Sequence, residues 1–126
     1  MIGGTDIIIP ATGDPAALDI CARIVRRYWP QARFEDAVTG EKYAQYGEIP
    51  LGCVRELLVY RDAHAESAWD ADDANSPENS MLYLILSGDS ITVVLDDPDA
   101  ADMRSIVGSL RTSLEAAIQR TYAAAA

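Results

Sequence analysis

The chain has 126 residues and a mass of 13.6 kDa, with 49% hydrophobic and 24% charged residues. This size and composition are typical of one folded domain and unlike a disordered chain. Twenty acidic residues against ten basic residues give a net charge of −10. Nucleic acids and anionic membrane surfaces are bound through clustered Lys and Arg, so we expect neither among the partners.

The N-terminal residues and the cysteines bear on the compartment. The segment Met1–Asp6 has no basic leader, and no apolar run approaches the ~20 residues that cross a bilayer. Cys21 and Cys53 lie inside apolar stretches, which favours a reduced, cytoplasmic protein over a disulfide between them. Nine arginines against one lysine, with abundant alanine, indicate a GC-rich and bacterial coding sequence.

The first quarter of the chain predicts a strand and a helix. Residues 6–9 form a short β-branched run that is typical of a buried strand. Asp14 as a cap and Pro15 as the first helical residue predict a helix start. The helix extends to about Tyr28, because apolar residues recur on one face up to that point and Pro30 prevents continuation.

The middle of the chain predicts strands interrupted by one short helix. Residues 32–46 suggest a hairpin that turns at residues 39–40. Residues 53–60 are apolar on both faces at their end, as in a central strand. A short helix at 63–69 and a polar loop at 70–80 follow.

The last third predicts a hairpin and a long helix. The apolar runs 81–86 and 91–95 are separated by a short turn. The pair Asp97-Pro98 predicts the start of an amphipathic helix, and residues 123–126 are expected to fray.

Together these elements predict an α+β fold in a single domain over residues 1–122. We expect a mostly antiparallel sheet of five to six strands, with the N-terminal and long C-terminal helices packed on one face as a two-layer sandwich. The helices would cover the apolar side chains of the strands.

The acidic charge is unevenly distributed. Residues 1–61 carry seven bases and eight acids, whereas residues 62–103 carry eleven acids and no Lys or Arg. The eleven are Asp62, Glu66, Asp70, Asp72, Asp73, Glu78, Asp89, Asp96, Asp97, Asp99 and Asp102. Neighbouring like charges repel, so a stretch without counter-charges requires an explanation.

Helix capping and turn chemistry explain part of this stretch. Acids near a helix start are favoured by ~0.3–1 kcal/mol each, which accounts for the three aspartates at 97–102, and Asp89 suits a turn. The four carboxylates in the loop after Trp69 are not explained in this way, and solubility alone is one interpretation of them. The other is a partner-binding site for a basic protein, with Trp69 as anchor. Its residues are Trp69, Asp70, Asp72, Asp73 and Glu78.

A cation site in the same loop is poorly supported. If Asp70 takes the first position of a calcium-binding EF-hand loop, Asn75 stands where glycine belongs and Met81 where glutamate belongs. We therefore predict no metal and no cofactor.

Catalytic constellations are also missing from the sequence. His64 is the only histidine, and eight strand residues place Cys53 ~25 Å from it. We assign no catalytic residue. Arg23, Arg26, Arg27 and Arg33 form a basic patch that pairs with the protein's own acids or, alternatively, receives a phosphate or carboxylate.

The sequence therefore favours a non-enzymatic interaction module that engages a basic protein partner through an acidic surface in 62–103. The alternative is a small-molecule-binding or minor enzymatic domain with a pocket between sheet and helices. A homo-oligomer, formed through the sheet edge or the last helix, also remains open.

Overall fold

The structure is a computed structural model that describes residues 4–125. The expectation about the leader falls partly on residues 1–3, and the predicted frayed tail includes Ala126. Both positions lie outside the described residues.

Six strands and three α-helices make up the described chain. The strands are β1 (Thr5–Pro10), β2 (Arg33–Asp36), β3 (Lys42–Tyr43), β4 (Glu56–Tyr60), β5 (Met81–Leu86) and β6 (Ser90–Leu95). The helices are α1 (Pro15–Tyr28), α2 (Ala63–Asp70) and α3 (Ala101–Ala125). The strands form one antiparallel sheet in the order β1-β6-β5-β4-β2-β3. The predicted α+β fold is confirmed.

The core lies between one face of the sheet and the pair α1 and α3. Side chains alternate along each strand, so every second residue points to this face. The sheet contributes the buried residues Ile9, Phe34, Leu57, Val59, Leu82, Leu84, Ile91, Val93 and Leu95. The helices contribute Leu18, Cys21, Val25, Met103, Ile106, Leu110 and Leu114. Helices α1 and α3 contact each other and the sheet, which confirms the two-layer arrangement.

The predicted bounds of α1 agree with the structure. Pro15 is the first helical residue and Asp14 stands at the cap position. The Asp14 carboxylate accepts a hydrogen bond from the Thr12 hydroxyl at 3.1 Å and none from the helix backbone. Trp29 and Pro30 follow the last turn, and the proline ring prevents further helix.

Helix α3 begins later than the pair Asp97-Pro98 predicted. The Asp97 carboxylate accepts the backbone N–H of Asp99 at 2.9 Å, which closes a local turn and delays the helix to Ala101. At its other end α3 continues to Ala125, so the described part of the predicted tail is helical.

The β5–β6 hairpin holds the loop between β1 and α1. The backbone N–H of Ala11 donates to the Asp89 carbonyl at 3.0 Å. Gly13 approaches the hairpin so closely that a Cβ there would lie 2.1 Å from the Gly88 carbonyl oxygen. Only glycine therefore permits this approach.

The segment from β2 to β4 turns twice. The Asp36 carboxylate accepts the N–H groups of Val38 and Thr39, and Gly40 completes the turn with φ of 79°. After β3 the chain forms two short 3₁₀ turns, Tyr46–Glu48 and Leu51–Cys53, that pack on α1. The second turn includes Cys53, where the sequence predicted a strand to begin, and β4 starts only at Glu56.

Helix α2 packs on the face of the sheet opposite α1 and α3. Asp62 caps it by accepting the N–H of Ala65 at 2.8 Å. A small cluster of apolar side chains joins the helix to the sheet: Tyr60, Ala65 and Met81, with Leu58 and Trp69 packed against them. This short helix covers one corner of the second face.

Candidate functional site

The last turn of α2 places Trp69 against the sheet. Trp69 is half-buried, and its indole Nε1 donates a 2.9 Å hydrogen bond to the Ser80 hydroxyl. Ser80 is fully buried and donates in turn to the Pro77 carbonyl at 2.6 Å. The indole therefore holds the loop after α2 to the start of β5, and only part of its ring reaches the surface.

Asp70 belongs to a cluster of charged groups at the β2–β3 edge. Its carboxylate is hydrogen-bonded to the Lys42 ammonium, and this bond raises the pKa of Lys42. The Tyr60 hydroxyl donates to Glu35 at 3.3 Å and lies 3.5 Å from Asp70. Asp70 therefore differs from the other predicted site residues, because its carboxylate is paired with the ammonium of Lys42.

The remaining predicted residues, Asp72, Asp73 and Glu78, are exposed and lie on the loop between α2 and β5. Asp72 adopts φ of 50°, and the Asp73 carboxylate accepts the N–H of Asn75 at 2.9 Å. Ser76 donates to the Asp73 carbonyl at 2.7 Å, which tightens the loop further. The Glu78 side chain is exposed.

Asn79 joins this loop to the connection between β6 and α3. Its backbone N–H donates to the Asp96 carboxylate at 2.8 Å, and its side-chain oxygen accepts the N–H of Asp97 at 2.9 Å. Asn79 has φ of 52°, in the left-handed region that asparagine tolerates better than most residues. Two acidic segments that are separate in sequence therefore meet at one end of the sheet.

We call the exposed carboxylates of these two segments the acidic end. It comprises Asp72, Asp73, Glu78, Asp97, Asp99 and Asp102.

Other acids of the stretch 62–103 lie elsewhere and have definite roles. Glu66 is buried, and its Oε1 lies 3.6 Å from Arg33 Nε. Asp89 lies in the β5–β6 turn. Arg33 and Lys42 therefore supply counter-charges to Glu66 and Asp70 that the sequence of 62–103 does not contain.

The sheet face opposite the core carries apolar side chains beyond the corner that α2 covers. Ile8 is 65% exposed, and the other members are partly exposed. We call this surface the open face; it comprises Ile8, Leu58, Tyr83, Ile85, Thr92 and Val94, and Leu58 also borders the cluster under α2. The sequence analysis expected helices on one face of the sheet to cover the two-sided strands. In the structure α1 and α3 cover one face, and α2 covers only a corner of the other.

Carboxylates lie within and beside the open face. Asp6 stands opposite Val94 across the β1–β6 ladder, and Glu56 stands opposite Ile85. The Glu56 carboxylate accepts a hydrogen bond from the Tyr83 hydroxyl, and this bond with burial raises the pKa of Tyr83 to about 12.

Glu35 has the most crowded electrostatic surroundings of the sheet acids. Burial, followed by the negative charge of Asp70, raises the pKa of Glu35, while Lys42 and the Tyr60 hydroxyl partly oppose the shift. Burial also raises the pKa of Tyr60, with the charge of Glu35 as the next cause.

The two cysteines and the single histidine have different surroundings. Cys21 is buried, which raises its pKa to about 12, and Cys53 is exposed; both are unpaired thiols. His64 is exposed on α2. Across residues 4–125, no group of three or more His, Cys, Asp or Glu side chains is arranged to hold a metal ion.

The arginine patch lines a groove at the end of α1. Arg23 pairs with Asp19 at 3.0 Å, but Arg26 lies over the ring of Tyr46, with 5.7 Å between Cζ and the ring centroid. The sequence placed the arginines on one helix region, whereas Tyr46 comes from the distant 3₁₀ turn and no spacing signalled it.

Within residues 4–125, no helix combines the length and the hydropathy of a membrane-spanning segment.

Comparison with known proteins gives no assignment. No family model, no curated protein and no solved structure matches the chain.

Proposed function

We propose that the protein is a non-enzymatic binding module that engages a basic protein partner through the acidic end and the adjoining open face. The observation that carries this proposal is the pair of Asn79 hydrogen bonds, which joins two acidic loops beside an apolar sheet surface. An apolar centre bordered by charge is the usual anatomy of a protein interface.

Charge supports a basic partner in preference to a neutral one. The acidic end concentrates carboxylates in a protein whose net charge is already −10. A one-signed surface attracts and orients a partner of opposite charge before contact, and this attraction weakens as salt increases. A second copy of the chain would bring like charges together and would be repelled at low salt.

The open face supports contact area in addition to attraction. Ile8 on the edge strand is 65% exposed, and Val94, Tyr83 and Leu58 continue the surface across successive strands. Contiguous exposed apolar surface is characteristic of interaction sites. Burial of such area contributes roughly 25 cal/mol per Å² before the costs of association.

Composition supports a bacterial and cytoplasmic setting for this interaction. Arginine greatly outnumbers lysine. The exposed thiol of Cys53 is unpaired, as is usual in a reducing compartment.

The test compares two charge-neutralised variants in the capture of basic proteins from a source-cell extract at low salt. The first variant removes charge at the acidic end and carries Glu78→Gln, Asp99→Asn and Asp102→Asn. The control removes the same charge from exposed positions elsewhere and carries Glu41→Gln, Glu48→Gln and Glu115→Gln. A salt gradient then elutes the retained proteins for identification by mass.

We expect a basic protein that elutes from the wild type and the control at the same salt, and from the acidic-end variant at lower salt. Equal weakening in both variants would show a general effect of net charge and would contradict the proposed surface. Ile8→Thr is expected to weaken the same complex, with Val38→Thr as its control because Val38 is 67% exposed in the β2–β3 turn. Sedimentation at two concentrations distinguishes self-association.

A second candidate function, binding of a small molecule, is favoured by the groove beside Arg26. This groove lies at the start of β2, whereas the sequence interpretation placed a pocket between sheet and helices.

A further inference from the structure

A groove of about 740 Å³ lies where the end of α1, strand β2, the first 3₁₀ turn and the start of α2 meet. Its volume falls within the range of small-molecule sites. The side chains that define its chemistry are Arg26, Arg33, Gln31, Gln45, Tyr46 and His64. None of these belongs to the acidic end or the open face.

Tyr46 fixes the positions of two arginines in or beside the groove. The Arg26 guanidinium lies over the Tyr46 ring, and Arg23 Nε donates to the Tyr46 hydroxyl at 3.0 Å. The ring itself packs edge-on against buried Phe34, with centroids 6.4 Å apart. Positioned side chains lose less conformational entropy on binding a ligand, so this arrangement favours binding.

Arg26, which lines the groove, has no carboxylate partner in the part of the chain that the structure describes, although the protein has twice as many acids as bases. Among residues 4–125, Arg26 and Arg27 form no ion pair. Arg33 pairs with buried Glu66, with 3.6 Å between Nε and Oε1, yet the buried Arg33 Nε and Glu66 Oε2 each lack a hydrogen-bond partner among the described residues. An unsatisfied buried donor is costly, so this ion pair satisfies the Arg33 side chain only in part.

The helix dipole explains why arginines occur at the end of α1, but it explains only part of the arrangement in the groove. Arg26 and Arg27 occupy the last turn of α1, where a positive charge is favoured by the helix dipole. That effect requires neither the stacking of Arg26 on Tyr46 nor a buried, unpartnered donor on a different element. The one carboxylate that lines the groove, Asp62, already caps α2.

We propose that this groove binds a small organic oxyanion, with Arg26 and Arg33 as its principal contacts. Guanidinium groups present parallel N–H donors that match two oxygens of a phosphate or a carboxylate. A neighbouring depression lined by Arg23, Arg26, Arg27 and Pro30 extends the cationic surface beyond the groove. The proposal is independent of the interaction with a basic protein, because the two surfaces share no residue.

The experiment measures thermal unfolding with adenosine monophosphate or citrate, each compared with sodium chloride at equal ionic strength. The first probe carries a phosphate and the second only carboxylates, so the two arms identify the oxyanion. A ligand that binds the folded state raises Tm in a saturable manner. We expect one or both probes to raise Tm above the chloride value.

Two variants and a matched control assign the effect to the groove. Arg26→Gln is expected to weaken binding by about tenfold to a hundredfold, as for loss of a charge-assisted hydrogen bond. Arg33→Gln should act in the same direction, and Arg26→Gln alone suffices if that variant fails to fold. The control is Arg111→Gln, which removes the same charge from an exposed position on α3.

The outcomes are decisive in both directions. Stabilisation that is lost in Arg26→Gln and kept in Arg111→Gln supports the site. The proposal is overturned if neither probe raises Tm above the chloride value. It is also overturned if Arg26→Gln leaves the increase in Tm unchanged. Backbone amide NMR shifts confined to residues 31–33, 44–47 and 62–64 would confirm the location independently.

Discussion

The indole of Trp69 donates to the hydroxyl of Ser80 across a loop of ten residues, and the two side chains together fix the start of β5. Ser80 has no exposed surface, so its oxygen has no access to water as a replacement partner. The geometry of the loop that carries Asp72, Asp73 and Glu78 therefore depends on a residue that precedes it.

Trp69→Phe should destabilise the protein by about 1 kcal/mol through the lost hydrogen bond, with a further contribution from reduced packing. Ser80→Ala removes the other partner. Urea unfolding of both single variants and the double variant measures the coupling, which we expect to be about 0.5–1.5 kcal/mol. Strict additivity would show that the bond contributes nothing to stability.

Glu35→Gln should stabilise the protein more at neutral pH than at acidic pH. Burial and Asp70 raise the pKa of Glu35 in the folded state, so the folded chain holds this proton more tightly than the unfolded chain. The favourable contribution is complete below the unfolded pKa and is lost as the pH rises through the folded pKa. Glutamine does not ionise, so the Glu35→Gln variant does not lose this stability as the pH rises.

The measurement is the free energy of unfolding in urea at about pH 4 and about pH 7. The relative gain of Glu35→Gln over wild type should increase between the two pH values. Glu41→Gln serves as the control, since Glu41 is exposed in the same β2–β3 hairpin. A constant difference between Glu35→Gln and wild type at both pH values would contradict the cause assigned to the pKa shift.

The two cysteines should differ strongly in reactivity. The thiolate is the nucleophile, and burial raises the pKa of Cys21 to about 12, whereas Cys53 is exposed. Iodoacetamide should therefore modify Cys53 in the folded protein and Cys21 only after unfolding in urea. Peptide mass spectrometry reports the site, and equal labelling rates in the native state would count against the packing of α1.

Two glycine-to-alanine changes should have opposite effects on stability. Gly13→Ala places a Cβ 2.1 Å from the Gly88 carbonyl oxygen, so the loop or the hairpin must shift, at a cost of about 1–3 kcal/mol. Gly108→Ala in α3 meets nothing within 4 Å and should stabilise the helix by about 0.5–1 kcal/mol. Thermal unfolding of the two variants checks both signs, and a neutral Gly13→Ala would exclude the close approach.

Local signals in the sequence were sufficient for much of the fold. Pro15 and Pro30 delimit α1 because a proline ring acts on its own helical turn, and the signal needs no distant partner. The β5–β6 hairpin was likewise predictable from two apolar runs and the short turn between them. The predicted start of α3 was wrong because the Asp97 carboxylate accepts the backbone N–H of Asp99 in a local turn. Composition does not distinguish this turn from a helix cap.

The candidate sites depended on distant residues and were less predictable. Lys42 and Asp70 are 28 positions apart, and only the fold brings them into contact. The same holds for Tyr46 beneath Arg26. The open face could not be predicted from the sequence for another reason. A strand that is apolar on both sides has the same sequence pattern whether its second face is covered or exposed.

Strand β1 makes its only described strand pairing with β6, and this has a consequence during translation. Thr5 pairs with Leu95 and Pro10 with Ser90, so β1 leaves the ribosome 80 to 90 residues before its partner. At about 5–20 residues per second, the β-branched segment Ile7–Ile9 waits roughly 4–18 s without a neighbouring strand. Unpaired apolar strands are prone to aggregate, so nascent chains are most vulnerable in that interval. Slower synthesis or shortage of chaperones should lower the yield of folded protein more than its equilibrium stability suggests.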